Sequence, residues 1–337
     1  MRRLFTPGRA VLAGLGLLVI VAFVLWITPS DSYLLLPDEA KPLEPRVEVE
    51  GEKPDRAGGI FFVDVIVRKA SRLEALFPPL RPDGADIVPA HALVPPGTSI
   101  QDRRRQNLRQ MSRSQQVGAA VALRQLGYDV KAQPRGALVV AVASDAPAAG
   151  KLEPTDVIVA ADGDTVRTPD DLRRVIAERK PGEPVDLGVR EGGATRTVSV
   201  GTVESPSEKG RAIVGIQVEQ AADIALPIDV AIDLGGVGGP SAGLAFALDI
   251  VEELRGNVDR GLKVAATGEL ELDGGVVPIG GVRQKVLGAR RSGVDVFLVP
   301  AGDNAREARR YAGGLRIVAV ESFGQALRRL ATITENR

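Results

Sequence analysis

One stretch narrows the folds open to this chain more than any other: Gly235-Gly-Val-Gly-Gly-Pro-Ser-Ala-Gly243, set between a strand pattern and a helix pattern. Ahead of it Ile228, Val230, Ile232 and Leu234 alternate with Asp229, Ala231 and Asp233, the period of a half-buried strand. Behind it Ala242 to Leu254 carries Leu244, Ala245, Leu248 and Val251 at helical spacing, and Gly256 closes the run. Pro240 suits the first helical position, where its missing N–H would be an orphan in any case. Ser241 is thus expected at a strand-to-helix turn, in the first turn of the helix. Free backbone N–H groups and the positive end of the helix dipole favour an alkoxide or an oxyanion there.

Three readings fit the loop. It is a plain glycine-rich turn, a phosphate cradle, or the seat of a serine nucleophile. The cradle lacks the Gly-Lys-Ser/Thr that would follow its glycines, and the dinucleotide spacing is absent. Gly239-Pro-Ser-Ala-Gly243 does fit G-x-S-x-G, which usually points to a hydrolase with chain order Ser, acid, His. Here the one histidine, His91, lies upstream of Ser241, and there is no cysteine to act as an alternative nucleophile. An activated Ser241 would therefore take a lysine as its base.

Lys285 is the candidate, in Pro278-Ile-Gly-Gly-Val-Arg-Gln-Lys-Val-Leu-Gly-Ala289. On a helix opening after Gly281, Lys285 shares a face with Val282, Val286 and Ala289. Such a lysine either snorkels to water or is buried. Burial would lower its pKa from about 10.4 toward the ~7–8 that suits a general base. The Ser-x-x-Lys pair of penicillin-binding enzymes does not apply, because that position is Leu244.

With Gly239-Pro-Ser-Ala-Gly243, Ala266-Thr-Gly-Glu269 and Pro278-Ile-Gly-Gly281 followed by Lys285, the chain resembles the Lon-type Ser–Lys peptidases in motif order and spacing. The resemblance covers residues 204–337. It implies Ser241 as nucleophile, Lys285 as general base and Thr267 as a hydrogen-bond partner of the lysine. Backbone N–H groups near Gly239 and Ser241, with Pro240 between them, would form the oxyanion hole. It also implies homo-hexameric rings. Two departures stand out: Gly238 replaces the acidic residue usual three before the serine, and the segment is short for a whole Lon protease domain.

From the N-terminus, Arg2, Arg3 and Arg9 precede an uncharged apolar run, Ala10 to Ile27, of the length that one bilayer crossing needs. The basic flank would stay cytoplasmic and the rest of the chain outside. A cleaved signal peptide is the rival, although no A-x-A-like site follows. Pro37 to Gly58 reads as a spacer, and Ile60-Phe-Phe-Val-Asp-Val-Ile-Val67 as a buried strand that belongs to the Lon-like domain. Residues 76–99 are proline-rich, with His91 exposed and no partners for a metal. Arg103-Arg-Arg105, Arg109 and Arg113 form a basic stretch, a solvated face or a contact for anionic lipid. Lys+Arg and Asp+Glu both number 43, so net charge gives no argument for nucleic acid.

Ser112 to Leu126 reads as a helix ending at Gly127, and a strand-rich unit follows. Its strands are Ala137–Val142, Asp156–Ala160, Val185–Arg190 and Thr195–Val200, with a helix from Thr168-Pro-Asp-Asp171 to Glu178. This succession, with Ala-Pro-Ala-Ala149 and Asp156-Val-Ile, resembles a bacterial PDZ domain. That implies binding of peptide C-termini by strand addition beside a helix. Leu126-Gly127-Tyr128 is then the candidate carboxylate loop, and Leu172 to Ile176 the groove wall.

The expected architecture is an α/β (α+β) Lon-type protease domain with a β-rich PDZ domain and one N-terminal transmembrane helix. The expected divisions are a tail at 1–9, the span at 10–27, an extracytoplasmic linker at 28–115, PDZ at 116–203 and the proteolytic domain at 204–337. The expected function is that of a serine endopeptidase, anchored in the cell membrane as a single-pass protein. It would act without ATP, since no P-loop occurs in the sequence. Unfolded or targeted extracytoplasmic proteins would be its substrates, and no cofactor, metal or nucleic acid is expected. The alternative is a catalytically silent PDZ/Lon-like scaffold. Retention of Ser241, Thr267 and Lys285 together argues against it.

Overall fold

The computed structural model describes residues 7–50, 58–93, 100–191, 194–206 and 208–333. Arg2 and Arg3 of the basic tail, 51–57 of the spacer, 94–99 of the proline-rich stretch and Gly192-Gly193 lie outside them. Helix α1 covers Pro7–Ile27, with side chains described from Val11 onward. These are apolar and mostly exposed, Leu12 and Leu18 among them. Among the described residues no helix is long and apolar enough to cross a membrane.

Residues 28–115, expected as a linker, instead supply β1 (Pro29–Pro37), β2 (Lys41–Pro42), β3 (Val47–Val49), β4 (Gly59–Phe62), β5 (Val65–Ser71), α2 (Arg72–Leu76), β6 (Asp86–Pro89), α3 (Ala90–Leu93) and the start of α4 (Ile100–Gln125). The apolar run at 60–67 is therefore two strands. Val63 and Asp64 divide them, and the two halves enter different sheets. Ser71 caps α2 through a capping box with Glu74. Helix α4 starts twelve residues earlier than the alanine-rich pattern suggests, taking in the basic stretch.

A second unit follows: β7 (Lys131–Val142), β8 (Val157–Ala161), β9 (Asp164–Thr165), α5 (Pro169–Ala177), β10 (Val185–Glu191) and β11 (Ala194–Val200). Thr168 and Asp171 close the expected capping box on α5. Then come β12 (Val203–Glu204), β13 (Ala212–Ile213) and β14 (Ile216–Ala225), whose ten residues pair antiparallel with β7 to give the order β11-β10-β8-β7-β14. This unit has its own core, with Val139, Ile158, Leu172, Val185, Leu187 and Val214 buried.

The remainder is β15 (Val230–Ile232), α6 (Gly243–Arg255), β16 (Lys263–Ala266), β17 (Glu269–Leu270), β18 (Val276–Val277), α7 (Val282–Arg291), β19 (Val296–Pro300), α8 (Asp303–Tyr311), β20 (Arg316–Val320) and α9 (Phe323–Ala331). The central sheet runs β2-β4-β16-β19-β20, with β4, β16, β19 and β20 parallel. Helix α6 is buried from Gly243 to Glu253, which fits its near-continuous apolar sequence. Its Leu244, Phe246 and Leu248 share a core with Ile60 and Phe62 of β4 and with Val117 and Ala122 of α4. Each such fully buried side chain contributes about 1.5–3 kcal/mol of transfer free energy. Helix α7 covers the other face, Val282, Val286 and Ala289 packing with Val63, Ala265 and Phe297.

Candidate active site

The glycine-rich turn joins β15 to α6 as its pattern implies, but the helix opens at Gly243 with Ala242 as its cap. Ser241 therefore sits just ahead of the first turn rather than inside it. Helix α4 pins the turn from one side: Gly239 N–H donates to the Asn107 carbonyl at 2.8 Å, and Ser114 Oγ to the Pro240 carbonyl, also at 2.8 Å. Strand β16 pins it from the other, because the Ser241 carbonyl accepts from Gly268 N–H at 2.9 Å and from Thr267 Oγ1 at 3.0 Å. Gly239 has φ +94°, a left-handed conformation that glycine takes without steric cost.

Gly238 is glycine for a second reason. A Cβ there would stand 2.8 Å from Asn107 Cβ and 3.2 Å from its carbonyl carbon. The close passage of α4 leaves no room for the acid usual at this place. Gly238→Asp should therefore lower activity, roughly tenfold or more, by pushing α4 off the turn and breaking the Gly239–Asn107 bond. Wild-type turnover in this variant, measured with a fluorogenic peptide, would show that the contact does not shape the turn.

Lys285 reaches the serine from α7. Its Nζ lies 2.7 Å from Ser241 Oγ and 3.0 Å from Thr267 Oγ1, with the lysine 3 % exposed and Thr267 fully buried. Burial is the largest influence on the amine and pulls its pKa down to about 7, while Asp64 pulls the other way. Because the Thr267 hydroxyl donates to the Ser241 carbonyl, it must accept from Lys285. A neutral amine held this way keeps its lone pair for the serine proton. Ser241, Thr267 and Lys285 are thus brought together by α6, β16 and α7, three elements distant in sequence.

Of the oxyanion-hole candidates, Gly239 is withdrawn by its bond to Asn107, and Pro240 has no N–H to give. The N–H groups at the head of α6, from Ser241 on, are those the helix dipole reinforces. Asn107 and Ser114 were missed by sequence reasoning, since both lie on a stretch whose charges suggest a solvated face. Beside Pro240 a cavity of 50 Å³ is lined by Arg113, Ser114, Val139 and Glu269, where the two units meet. Burial pushes the Glu269 carboxyl up to about 7, helped by Glu219, while Arg113 opposes it.

The second candidate site is a cleft of 350 Å³ between α5 and residues 211–218. Leu172, Arg173 and Ile176 line it. Strand β14 is the sheet edge there, open to an added strand. Leu126-Gly127-Tyr128 is not part of it. Tyr128 N–H bonds the Leu123 carbonyl and Gly127 N–H the Arg124 carbonyl, the Schellman closure of α4, and Leu126 packs on the core around α6. The Leu-Gly-Tyr sequence is thus a helix end. The groove takes its strand from 212–218 instead.

Comparison with known proteins bears on both sites. Residues 214–331 match the model of the Lon protease (S16) C-terminal proteolytic domain, and residues 124–202 that of the PDZ domain. The chain carries a Lon-type proteolytic domain and a PDZ domain. It is 39 % identical over 108 residues to Lon protease 1 of Sorangium cellulosum, a match covering 29 % of this chain and 13 % of that protein. It is 38 % identical over 110 residues to Lon protease 2 of Herpetosiphon aurantiacus, covering 30 % and 13 %. The chain thus spans about an eighth of these relatives' length. Among solved structures, the PDZ domain of the SdrC-like protein of Listeria monocytogenes is 24 % identical, covering 26 % of this chain and 92 % of that one, with TM-score 0.24. The core of the proteolytic domain is completed from outside the matched span, by β4 and α4.

Proposed function

We propose that the protein is a membrane-anchored serine endopeptidase that cleaves extracytoplasmic proteins without ATP, using Ser241 as nucleophile and Lys285 as general base. The observation that carries this reading is the buried amine 2.7 Å from the serine hydroxyl. Neutral Lys285 takes the Ser241 proton as Oγ attacks the peptide carbonyl. The lysine then returns that proton to the leaving amine, and a water deprotonated by the same amine hydrolyses the acyl-enzyme. The helix α6 N-terminus would hold the oxyanion. The PDZ groove along β14 receives peptide C-termini of unfolded or targeted proteins, and rings of six are the assembly the Lon resemblance implies. The exposed apolar side chains of α1, behind Arg2, Arg3 and Arg9, support the anchor and the cytoplasmic N-terminus.

The test uses the purified full chain with casein and no nucleotide. Cleavage by wild type, lost by at least about 10³-fold in Ser241→Ala with the fold intact, is the expected result. Equal cleavage by Ser241→Ala would sink the assignment.

A further inference from the structure

We propose that Asp64 is the counter-charge of the lysine base, a positioning carboxylate that holds the ammonium form Lys285 must adopt during each turnover. The inference rests on the peptidase reading and adds a residue to its machinery. A buried amine that accepts a proton becomes a cation with little water around it, so a compensating charge has to come from the protein. The serine turn offers none: residues 235–240 carry no charged side chain, and Gly238 has no space for one.

The geometry of α7 points to Asp64. Gly281, Lys285 and Gly288 fall on one face of the helix at spacings of four and three. A Cβ on Gly281 would stand 2.9 Å from Val65 Cγ2, and one on Gly288 3.4 Å from Val63 Cγ1. Residues 63–65 therefore run along the turn that carries Lys285, and Asp64 is the middle one. Sheet register agrees. Phe62 lies opposite Ala266, so Asp64 follows at the same strand ends as Thr267, the lysine's other partner.

The charge count completes the argument. Lys41 Nζ lies 2.7 Å from Asp38 and 3.2 Å from Asp64, so two carboxyls share one ammonium, and burial pushes the Asp64 carboxyl up while Lys41 pulls it down. Other charges around α7 are satisfied elsewhere. Arg283 bonds Asp86, Arg291 bonds Asp83, Arg290 bonds the Tyr311 carbonyl, and Asp303 of α8 pairs with Arg306. Asp31 of β1 is exposed, and β16 and β19 turn Ala265, Phe297 and Val299 toward the helix. Among the described residues Asp64 is the charged group that acts on the Lys285 amine, raising its pKa against the larger effect of burial.

Asp64→Asn should therefore do two opposite things. Without the carboxylate the Lys285 pKa falls, and the rising limb of the pH–rate profile moves to lower pH by roughly half to one unit. The neutral fraction at pH 6 grows roughly three- to fivefold. At high pH the limiting rate drops, by about tenfold, because the ammonium formed in the transition state has lost its partner. A variant that merely unfolds loses rate by the same factor at every pH and shows no acid-ward shift.

The experiment follows Ser241 labelling by a fluorophosphonate across pH 5–9 in the full chain. It compares wild type, Asp64→Asn, Asp64→Glu and Asp38→Asn. In parallel, NMR titrates the ε-carbon of Lys285, assigned by its loss in Lys285→Met. An acid-ward shift in Asp64→Asn, a smaller one in Asp38→Asn and a wild-type profile in Asp64→Glu are expected. Asp38→Asn carries the test if Asp64→Asn does not fold. A Lys285 titration unmoved in the folded variants would overturn the proposal. Absence of labelling in wild type at every pH would instead count against the peptidase reading, and the NMR titration would still decide on Asp64.

Discussion

Lys285→Met is expected to abolish cleavage, by about 10⁴-fold or more, and to change how stability depends on pH. Methionine fills nearly the same volume with no charge to bury, so the loss of rate comes without a packing defect. The stability effect has a definite sign. Burial lowers the lysine's pKa from 10.5 to about 7 in the folded protein. Below about pH 7 both states bind the proton, and wild type carries the full cost of a buried ammonium. Between about 7 and 10.5 only the unfolded chain binds it, so wild type gains on the variant by about 1.4 kcal/mol per pH unit. Urea midpoints of the two proteins at pH 6, 7.5 and 9 measure this gap. A gap independent of pH would mean that Lys285 is not held neutral in the folded protein.

Gly288→Ala should be the most damaging substitution outside the Ser–Lys–Thr cluster. A Cβ at this position would stand 1.8 Å from the Asp38 carbonyl oxygen and 3.0 Å from its carbon, both backbone atoms. The segment cannot step aside freely, because Ala40 N–H is bonded to Ser292 Oγ at 2.7 Å and β2 is paired with β4. Helix α7 has to move instead, and Lys285 moves with it. Overpacking of this kind costs about 3 kcal/mol or more, and an ångström of misplacement at the base costs about 10²-fold in rate. Thermal midpoint and turnover, measured together, check both figures. Wild-type turnover would show that residues 38–41 do not fix the helix.

The legible parts of the site were those in which chemistry and spacing coincide in one short stretch. Ser241 stood in its glycine turn, and Lys285 on an apolar helix face where a lysine has no packing reason to be. Thr267 came from the family resemblance. What stayed hidden depends on chains meeting in three dimensions. Asn107 and Ser114 lie on a helix whose arginines suggest solvent, yet one face of it closes on the serine turn. Asp64 interrupts an apolar run and reads there as a blemish in a strand. It divides two strands because its side chain belongs with Lys41 rather than with the core. Leu126-Gly127-Tyr128 misled because a helix stop and a carboxylate loop use the same residues, and only the hydrogen bonds separate them.

Strand β4 has a consequence for synthesis. It pairs with β2 on one edge and, with Gly59 opposite Lys263, with β16 on the other. On a ribosome β4 is made early and waits, one edge open, while the whole PDZ domain is translated. Pairings so distant in sequence close slowly, whereas the local strands of the PDZ unit can fold as soon as they emerge. The order of assembly is then set by the chain itself. The lysine on α7 reaches the serine only when the last third has been threaded home, so the growing polypeptide has no working scissors to turn on itself or on its neighbours.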